Sequence, residues 1–561
     1  MSYIVSRVQS DSGQDIYMYE KNGQKIGLNS LYSPGKEAER FIKKLEYLEK
    51  NFVILIGFGN GALLEGLLKS KAYDRNIHFL FIEPFCEVEV SDDLANQITS
   101  THKVSFFYAE NFNAITFSKY IAKYMSIPVS IQVHPNYSKI EDPVIKDCLQ
   151  VITDGIETVQ VFKNTQAAFA IDWIIEPLLN IRSLPKSMNI KSFQGKYKGE
   201  RAILVASGPS LKEHIPFLQD NKESFHLFSV GSALRALLVN DIEPDYVVTM
   251  DAGATNYETH FKDLNYNGAL IYETVSNSKI QDNHKGSLIV SRNIAEHITV
   301  QFSDEMYSFT QTSPSVAILA LQVIAYLGFS EVYFVGQDLA LVDGEYYAKD
   351  VQHHEAVKNI KEELLVVNNQ GKQVGTTRAL KIFLEAFEEL IKNLPNEMSL
   401  YNLSEQGAKI EGTQFIKEST ILKGNKKNST VPKQLIQSSV DPNHFIQTFI
   451  VKLDALKRDV LVASAGLKRH IKIGVVNTND MSKVLRDFRK ASKHTILEDV
   501  ILANLKFVFN SIVNNIQLLS SEQNNTSKGY LALIKELETF YRLVIAYCDE
   551  ISKDKRLTQY K

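Results

Sequence analysis

A short apolar run of the chain breaks at a small polar loop, Ser207-Gly208-Pro209-Ser210, and a helical pattern begins near Leu211. Glycine lets a ligand approach the backbone closely, and Ser210 is placed to cap the helix beside Pro209. The first turn of a helix presents unpaired N–H groups and a partial positive charge, which together suit a phosphate. No Lys-Ser/Thr pair follows, so the Mg-ATP chemistry of a Walker loop is not supported. The loop is interpreted either as a phosphate site or as a capped turn without a ligand.

Two further strand patterns end in small or acidic residues. The segment PDYVVTMDAG carries Asp251 at its end, and Gly336 and Asp338 directly follow the buried pattern EVYFV. Because ligands of open parallel sheets collect at the carboxyl ends of the strands, these ends point to one crevice. Two Asp residues have ligand chemistry for a metal, but neither belongs to a D-x-D pair, so no metal site is predicted.

Hydroxyl groups and imidazoles occur in two nearby segments. Thr312, Ser313 and Ser315 precede an apolar helical pattern, where backbone N–H groups are able to hold a second anion, although a plain helix start needs none. His353 and His354 follow the last strand-end loop at close range. An imidazole near a nucleotide crevice is a candidate general base, and a pair of surface histidines is the alternative interpretation.

A glycine-rich turn lies nearer the N-terminus, with Gly57, Gly59 and Gly61 spaced as G-x-G-x-G and with Glu83 at the end of the next strand pattern. This spacing is typical of a Rossmann-like unit, in which the glycines admit a ligand and the acid reaches a ribose. The pattern fits a dinucleotide or S-adenosylmethionine site, and it equally fits a degenerate copy that binds nothing.

The elements that must position these residues alternate between strand and helix. Buried strands are predicted at residues 202–206, 226–230, 246–250, 268–273, 287–291 and 331–336. This alternation favours a parallel sheet flanked by helices. No strand is expected after Thr413, and helical periodicity is predicted over residues 443–467, 479–519 and 527–551. The prediction is therefore an α/β fold with a Rossmann-like domain over residues 1–150, an α/β domain over 151–420 (connecting helices 151–200) and a helical domain over 421–561.

Composition bounds the class of protein. The 561 residues are 44% hydrophobic and 23% charged, as expected of a soluble globular protein with several domains. Residues 421–561 contain 23 Lys and Arg against 13 Asp and Glu, which indicates either an acidic partner or solvated helix faces. The three cysteines are predicted to be buried free thiols. Without a signal-peptide pattern or a bilayer-length apolar stretch, the protein is predicted to be cytoplasmic, with no membrane or nucleic-acid partner.

Two sets of motifs resemble known enzymes. The stretches ILVASGPSLKE and LGFSEVYFVGQDLALVDGEYYA resemble the nucleotide-binding motifs of bacterial sialyltransferases that use CMP-sialic acid. The stretches ALRALLVNDIEPDYVVTMD, FVGQDLA and LYNLSEQGAKIEGT resemble the motility-associated factor (Maf) family of flagellin glycosyltransferases. The resemblance extends over most of the chain and implies a Rossmann-like N-terminal domain, a sialyltransferase-like α/β centre and a helical C-terminal domain.

The resemblance implies a reaction. A nonulosonic (sialic-acid-like) sugar, such as pseudaminic or legionaminic acid, would pass from its CMP-activated donor to Ser or Thr of flagellin, with inversion and without metal or further cofactor. The oligomeric state is left open, a homo-oligomer included.

The implied nucleotide-sugar-binding residues are Ser207, Gly208, Pro209, Ser210, Gly231, Asp251, Thr312, Ser313, Gly336 and Asp338. By resemblance, the loop before the first helix would hold the CMP phosphate and ribose, and the residues at the other strand ends would hold the nucleoside. Thr312 and Ser313 would contact the donor carboxylate or phosphate. The hydroxyl of Tyr347 would donate to the leaving phosphate, which makes it a catalytic candidate.

The chain departs from the sialyltransferase pattern where those enzymes carry Asn, at Ser207, Gly231 and Asp251. Their catalytic His precedes a helix that corresponds to GKQVGTTRALKIFLEAF, and this stretch contains no His. His353 and His354 are candidate bases if their loop folds back. Otherwise Asp338 or the departing phosphate takes the proton.

Three other functions stay open at this point. The GPSL core also resembles archaeal pterin diphosphokinases, which would use ATP, magnesium and a small pterin, although such an acceptor does not require the long terminal parts. A flagellin-binding or chaperone-like protein with a decayed nucleotide site is the non-catalytic alternative. A methyltransferase that uses the Gly57–Gly61 turn is the last.

Overall fold

Several strands of the fold are buried on both faces. The computed structural model buries every residue of Phe52–Ile56, His78–Glu83 and His226–Val230, as expected at the centre of parallel sheets that helices cover on both faces. The chain forms two units, residues 1–164 and 165–561. The structure describes residues 3–560 except 112, 125–126, 311–312, 349–361, 423–433, 504, 506–508, 511, 513–515 and 517–526.

The first unit contains two sheets. The antiparallel sheet consists of β1 (Ile4–Gln9), β2 (Asp15–Lys21) and β3 (Gln24–Gly27). The parallel sheet has the order β6-β5-β4-β7, formed by β4 (Phe52–Ile56), β5 (His78–Glu83), β6 (Val104–Tyr108) and β7 (Val129–Val133). The helices along this part of the chain are α1 (Pro34–Leu45), α2 (Ala62–Leu67), α3 (Lys71–Arg75), α4 (Asp92–Ser100), α5 (Ala114–Ile121) and α6 (Pro143–Phe169). The predicted Rossmann-like arrangement of strand, glycine turn, helix and strand is confirmed.

The second unit is built on a nine-stranded parallel sheet of order β18-β17-β14-β9-β10-β11-β12-β13-β8. Its strands are β8 (Ser187–Asn189), β9 (Arg201–Val205), β10 (His226–Val230), β11 (Tyr246–Thr249), β12 (Ala269–Glu273), β13 (Leu288–Ser291), β14 (Glu331–Val335), β17 (Ser399–Asn402) and β18 (Gln414–Phe415). The hairpin of β15 (Leu364–Val367) and β16 (Gln373–Thr376) forms a separate antiparallel pair.

The helices of the second unit are α7 (Asp172–Asn180), α8 (Leu211–Asn221), α9 (Gly231–Leu238), α10 (Ser278–Asn283), α11 (Val316–Leu327), α12 (Arg378–Ile391), α13 (Pro442–Ile473), α14 (Thr478–Ser492) and α15 (Ser527–Lys553). Two π-helical segments accompany them, Asn256–Phe261 and Ile496–Leu502. Along the parts of the chain that the structure describes, no helix has both the length and the apolar character that crossing a bilayer requires.

All six predicted strands are present within one residue of their predicted ends, and the helical C-terminal region is confirmed. Two expectations are wrong. A strand follows Thr413, because Gln414–Phe415 adds a short edge to the sheet beside β17. Cys86 is exposed, because it lies in the turn after β5, whereas Cys148 and Cys548 are buried. The division into three domains at residues 150 and 420 stays a prediction.

The core around β10 gives a direct test of the fold. Phe228 is fully buried, stacks on Tyr246 with ring centroids 4.6 Å apart, and meets Phe329 edge-on at 5.5 Å. We expect Phe228→Ala to lower the free energy of unfolding by about 4 kcal/mol, because the cavity it leaves cannot close. Urea unfolding followed by the fluorescence of the single tryptophan, Trp173, measures the loss. Val239→Ala, at a position that is 67% exposed, is the control and should change stability by less than about 0.5 kcal/mol.

Candidate functional site

A cavity of about 280 Å³ lies in the second unit where the carboxyl ends of four adjacent strands meet. Ala206 follows β9, Gly231 follows β10, Thr249 ends β11 and Gly336 follows β14, and all four line the cavity. Open parallel sheets bind their ligands at this edge, because the loops and helix starts that follow the strands gather there. The predicted convergence of strand ends is therefore observed, and the cavity is the candidate active site.

Gly208 lets the loop after β9 lie directly against the loop after β14. Its N–H donates to the carbonyl oxygen of Gly336 at 2.8 Å. A Cβ at this position would come within 2.5 Å of that oxygen and of Oδ2 of Asp338. Gly336 has φ +67°, and a Cβ there would lie 2.4 Å from the carbonyl oxygen of Ala206. Neither position accepts a side chain, so the spacing of the two loops depends on both glycines.

Asp338 fastens these loops together. The residue is 2% exposed, and its Oδ2 accepts the N–H of Ser210 at 2.8 Å. Its Oδ1 accepts the hydroxyl of Ser210 at 2.6 Å and also the hydroxyl of Ser404, from the loop after β17. The predicted cap is thus wrong, since the hydroxyl of Ser210 donates to Asp338 and makes no capping bond to α8. The lining of the cavity includes Asp338, and its contact with a nucleoside stays a prediction.

The start of α9 forms a second wall. Gly231 and Ser232, its first two residues, line the cavity, and Ser232 donates its hydroxyl to that of Ser207 at 2.9 Å. A Cβ on Gly231 would lie 2.8 Å from the ring of Phe261, so glycine also permits this packing. The loop after β9 and the start of α9 are therefore joined through two small hydroxyl side chains.

The start of α11 forms a third wall. Ser315, Val316 and Ala317 line the cavity. Ser313 precedes them but accepts a hydrogen bond from Nε2 of Gln322 at 2.7 Å and is not among the described lining residues. Of the predicted residues at this helix start, Ser315 lines the cavity, and the binding of an anion there stays a prediction. Thr312 lies outside the described residues.

Asp251 offers a carboxylate whose oxygens are not used by the fold. The side chain lines the cavity, and no described residue donates a hydrogen bond to its carboxylate. Asp251 is exposed to the cavity, and the protein atoms around it raise the pKa of its carboxyl, because they displace part of the water that would stabilise its charge. Tyr347 lines the same cavity, and its pKa is raised first by burial and then by the negative charge of Asp251. The phenol of Tyr347 therefore keeps its proton and is a hydrogen-bond donor.

Sequence reasoning missed two lining residues that lie in a π-helical turn. Asn256 donates through Nδ2 to Oγ1 of Thr249 at 3.0 Å and to the carbonyl of Asp251 at 2.9 Å. His260 contributes an imidazole to the cavity lining. π-helical turns are frequent at functional sites, but their irregular period hides them from a search for helix or strand patterns. The available signal was a histidine that closely follows an acidic strand end.

Gln337 was also missed, although it stands between two predicted site residues. It lines the cavity and is 5% exposed, and its Oε1 has no hydrogen-bond partner among the described residues. A buried acceptor without a donor costs free energy.

The remaining predicted residues lie apart. Pro209 lines a smaller cavity beside the main one, which Tyr347 also borders. Ser210 is buried behind the loop, held by Asp338. His353 and His354 lie outside the described residues, and their catalytic role stays a prediction.

The glycine turn of the first unit is filled by the protein itself. Oε2 of Glu83 accepts the N–H groups of Phe58 at 2.9 Å and Gly59 at 3.1 Å, and the hydroxyl of Tyr137 at 2.6 Å. Its Oε1 accepts the N–H of Phe85 at 3.0 Å. Glu83 is fully buried, and burial raises the pKa of its carboxyl to about 7. The carboxylate therefore occupies the donors that a ligand phosphate would need and cannot reach a ribose.

Two more contacts close this turn. Oδ1 of Asn29 accepts the N–H of Asn60 at 2.9 Å and lies where a Cβ of Gly59 would be, at 2.2 Å. The ring of Tyr137 lies 2.5 Å from the Cβ position of Gly57. The glycines admit protein side chains here, which supports the interpretation of a degenerate copy and leaves the methyltransferase alternative without a site.

Parts of the chain are similar to known proteins. The sequence profile of a family described as 6-hydroxymethylpterin diphosphokinase MptE-like matches residues 176–344. An uncharacterised protein of Treponema pallidum (strain Nichols) is 25% identical over 123 residues, which is 21% of this chain and 56% of that protein. The chain thus spans about half the length of this relative.

A solved structure is similar over nearly the whole chain. The Maf glycosyltransferase from Magnetospirillum magneticum AMB-1 aligns with a TM-score of 0.54, covering 98% of this chain and 93% of that one, at 14% sequence identity. This similarity confirms the predicted α/β fold with its helical C-terminal region.

We expect Glu83→Ala to open the glycine turn of the first unit. Four donors lose the carboxylate, and only the N–H of Gly59 keeps another acceptor, the hydroxyl of Tyr137, so the local free energy of opening at residues 57–61 should fall by about 3 kcal/mol. Amide hydrogen exchange of these residues measures the change. Glu65→Ala, an exposed acid on α2, is the control and should leave exchange unchanged. Wild-type exchange in the Glu83 variant would mean that the carboxylate does not hold the turn.

We expect Asp338→Asn to destabilise the second unit without any ligand, by about 2 kcal/mol. The amide would replace one carboxylate oxygen with N–H groups that face the donors from Ser210 and Ser404. Urea unfolding followed by Trp173 fluorescence checks this loss. Asp343→Asn, at an exposed position with φ +53° that Asn tolerates, is the matched control. Equal stability of the two variants would contradict the fastening role of Asp338.

Proposed function

We propose that the protein is a glycosyltransferase that moves a nonulosonic sugar from its CMP-activated donor to Ser or Thr of flagellin. One observation carries this proposal. The loop after β9 and the starts of α9 and α11 line one cavity together with Asp251 and Tyr347, in a chain whose fold resembles that of a Maf glycosyltransferase. The donor would be bound as a substrate, and the reaction would need no further cofactor.

The lining suits a donor with two anionic groups, a phosphodiester and a carboxylate. The starts of α9 and α11 offer N–H groups and about half a positive charge, whereas the N–H groups of Gly208 and Ser210 are bonded to Gly336 and Asp338. The loop at Ser207 and Gly208, with the start of α9, would hold the phosphate, and the start of α11 at Ser315 would hold the sugar carboxylate.

The chemistry follows from these placements. The bond between the anomeric carbon and the phosphate oxygen breaks with oxocarbenium character, and its electron pair goes to the phosphate of CMP. Helix-start N–H groups and the phenol of Tyr347 would stabilise the charge that develops there. The acceptor hydroxyl attacks from the other face, and Asp251 would take its proton, with His260 as the alternative base.

A second candidate function is supported by the match to the 6-hydroxymethylpterin diphosphokinase MptE-like family, namely diphosphate transfer from ATP to a pterin. The cavity favours the first candidate. Tyr346 and Tyr347, together with Leu380 and Phe383 of α12, line it and lie beyond the matched residues 176–344. The site thus uses parts of the chain that the matched family span does not include. A flagellin-binding protein without catalysis is the remaining alternative.

The decisive experiment is the intact mass of a matching flagellin, co-expressed with this protein in a host that makes a CMP-nonulosonate. We expect mass increments of one sugar with the wild type and loss of at least about 99% of modification with Asp251→Asn, because the amide cannot accept the proton. In single turnovers in vitro, the rate should rise as pH increases through the raised pKa of Asp251, since only the ionised form is a base.

Glu258→Gln is the matched control, because Glu258 lies in the same π-helical turn but is solvent-exposed and pairs with Lys262. It should modify flagellin like the wild type. Unmodified flagellin that still co-purifies with the wild type would favour the binding protein. Binding of labelled ATP but not CMP would favour the diphosphokinase.

A further inference from the structure

A side chain close to the end of the chain reaches the scaffold of the cavity. Arg556 donates through Nη1 to Oε1 of Glu176, on α7. Arg556 is itself held by Asp554, through Nε at 3.1 Å and Nη2 at 2.9 Å. The charge of Arg556 also acts on Asp172, one turn earlier on α7, where it opposes the rise in the carboxyl pKa that burial causes. The guanidinium is therefore fixed in place between the C-terminal segment and α7.

Glu176 connects Arg556 to the start of α10. It is 1% exposed, and its Oε2 accepts the N–H of Ser278 at 2.7 Å. Its Oε1 lies 3.5 Å from Nδ2 of Asn277. A buried carboxylate needs a positive partner, and among the described residues Arg556 is its ion-pair partner.

Asn277 in turn holds the main chain at the cavity. Its N–H donates to the carbonyl of Asp251 at 3.0 Å, and its Nδ2 donates to the carbonyl of Ala252 at 2.9 Å. The carbonyl of Asp251 also accepts Nδ2 of Asn256, so two donors converge on it. The backbone that carries the free carboxylate is fixed from this side.

We infer that Arg556 is a positioning residue for the Asp251 wall of the cavity, acting through Glu176 and Asn277. The C-terminal segment is then part of the scaffold of the site. This inference rests on the proposed function only for the choice of CMP as the ligand probe.

Removing the guanidinium should destabilise the Asp251 wall because Glu176 loses its counter-charge, not because packing volume is lost. In Arg556→Met the carboxylate of Glu176 is left buried without a counter-charge, and it must move towards water or take up a proton. Either change weakens its bonds to Ser278 and Asn277. In the double variant Arg556→Met with Glu176→Gln, the neutral amide keeps an oxygen for the N–H of Ser278 and carries no charge that needs a partner.

Amide hydrogen exchange on the full chain tests the inference. We expect Arg556→Met to speed exchange at residues 251–256 and 276–283 by at least about tenfold, while residues 331–335 of β14 exchange as in the wild type. The double variant should return exchange to within about threefold of the wild type. Lys555→Met, at the exposed neighbouring position, is the matched control and should leave all rates unchanged.

Unchanged exchange at residues 251–256 in Arg556→Met would overturn the inference, as would a double variant that exchanges as fast as the single one. The affinity for CMP, measured on the same variants, addresses the proposed function separately. A tenfold weaker affinity in Arg556→Met, restored in the double variant, supports both. Faster exchange with unaltered CMP affinity supports the positioning role and counts against the cavity as a CMP site.

Discussion

The buried carboxylate of Asp338 is the constraint on which the cavity depends. A charge that is 2% exposed is tolerable only when its oxygens are fully used, and donors from Ser210 and Ser404 use both. Its own carbonyl accepts the N–H of Ala408 at 2.7 Å. These bonds tie the loops after β9, β14 and β17 into one body. The approach of Gly208 to Gly336 follows from this fastening, so the cavity is preformed rather than assembled by a ligand.

In both units a buried carboxylate accepts hydrogen bonds near a glycine-containing turn, but the results are opposite. In the first, the carboxylate of Glu83 enters the glycine turn and accepts the N–H groups that a phosphate would otherwise take. In the second, Asp338 lies behind the loop and accepts from Ser210, so the surface formed by Ser207 and Gly208 stays open to the cavity. Both sequences show glycines after a buried strand and an acid at a later strand end. The position of the acid relative to the turn separates a closed site from an open one, and that position is a tertiary property.

This difference explains how much the sequence predicts. The six inner strands were predicted within a residue because they are buried on both faces and therefore stand out as continuous apolar runs. The convergence of Asp251 and Gly336 followed from their positions at the carboxyl ends of predicted parallel strands, which is a local pattern. The role of Asp338 did not, because its partner Ser404 lies far along the chain, in the loop after β17. Likewise the closure of the Glu83 turn needs Tyr137, and His260 lies in a π-helical turn that has neither helical nor strand periodicity.

The division between used and unused carboxylates fits the chemistry proposed for the cavity. A carboxylate that is to accept a proton cannot also hold the fold, since donors to its oxygens lower its basicity. Asp251 meets this condition because its main-chain carbonyl, rather than its side chain, receives the bonds from Asn256 and Asn277. The backbone is fixed while the exposed carboxylate faces the cavity, with its pKa raised by partial loss of water. Asp338 and backbone carbonyls accept the hydrogen bonds that hold the loops together. The carboxylate of Asp251 is therefore left to interact with a substrate.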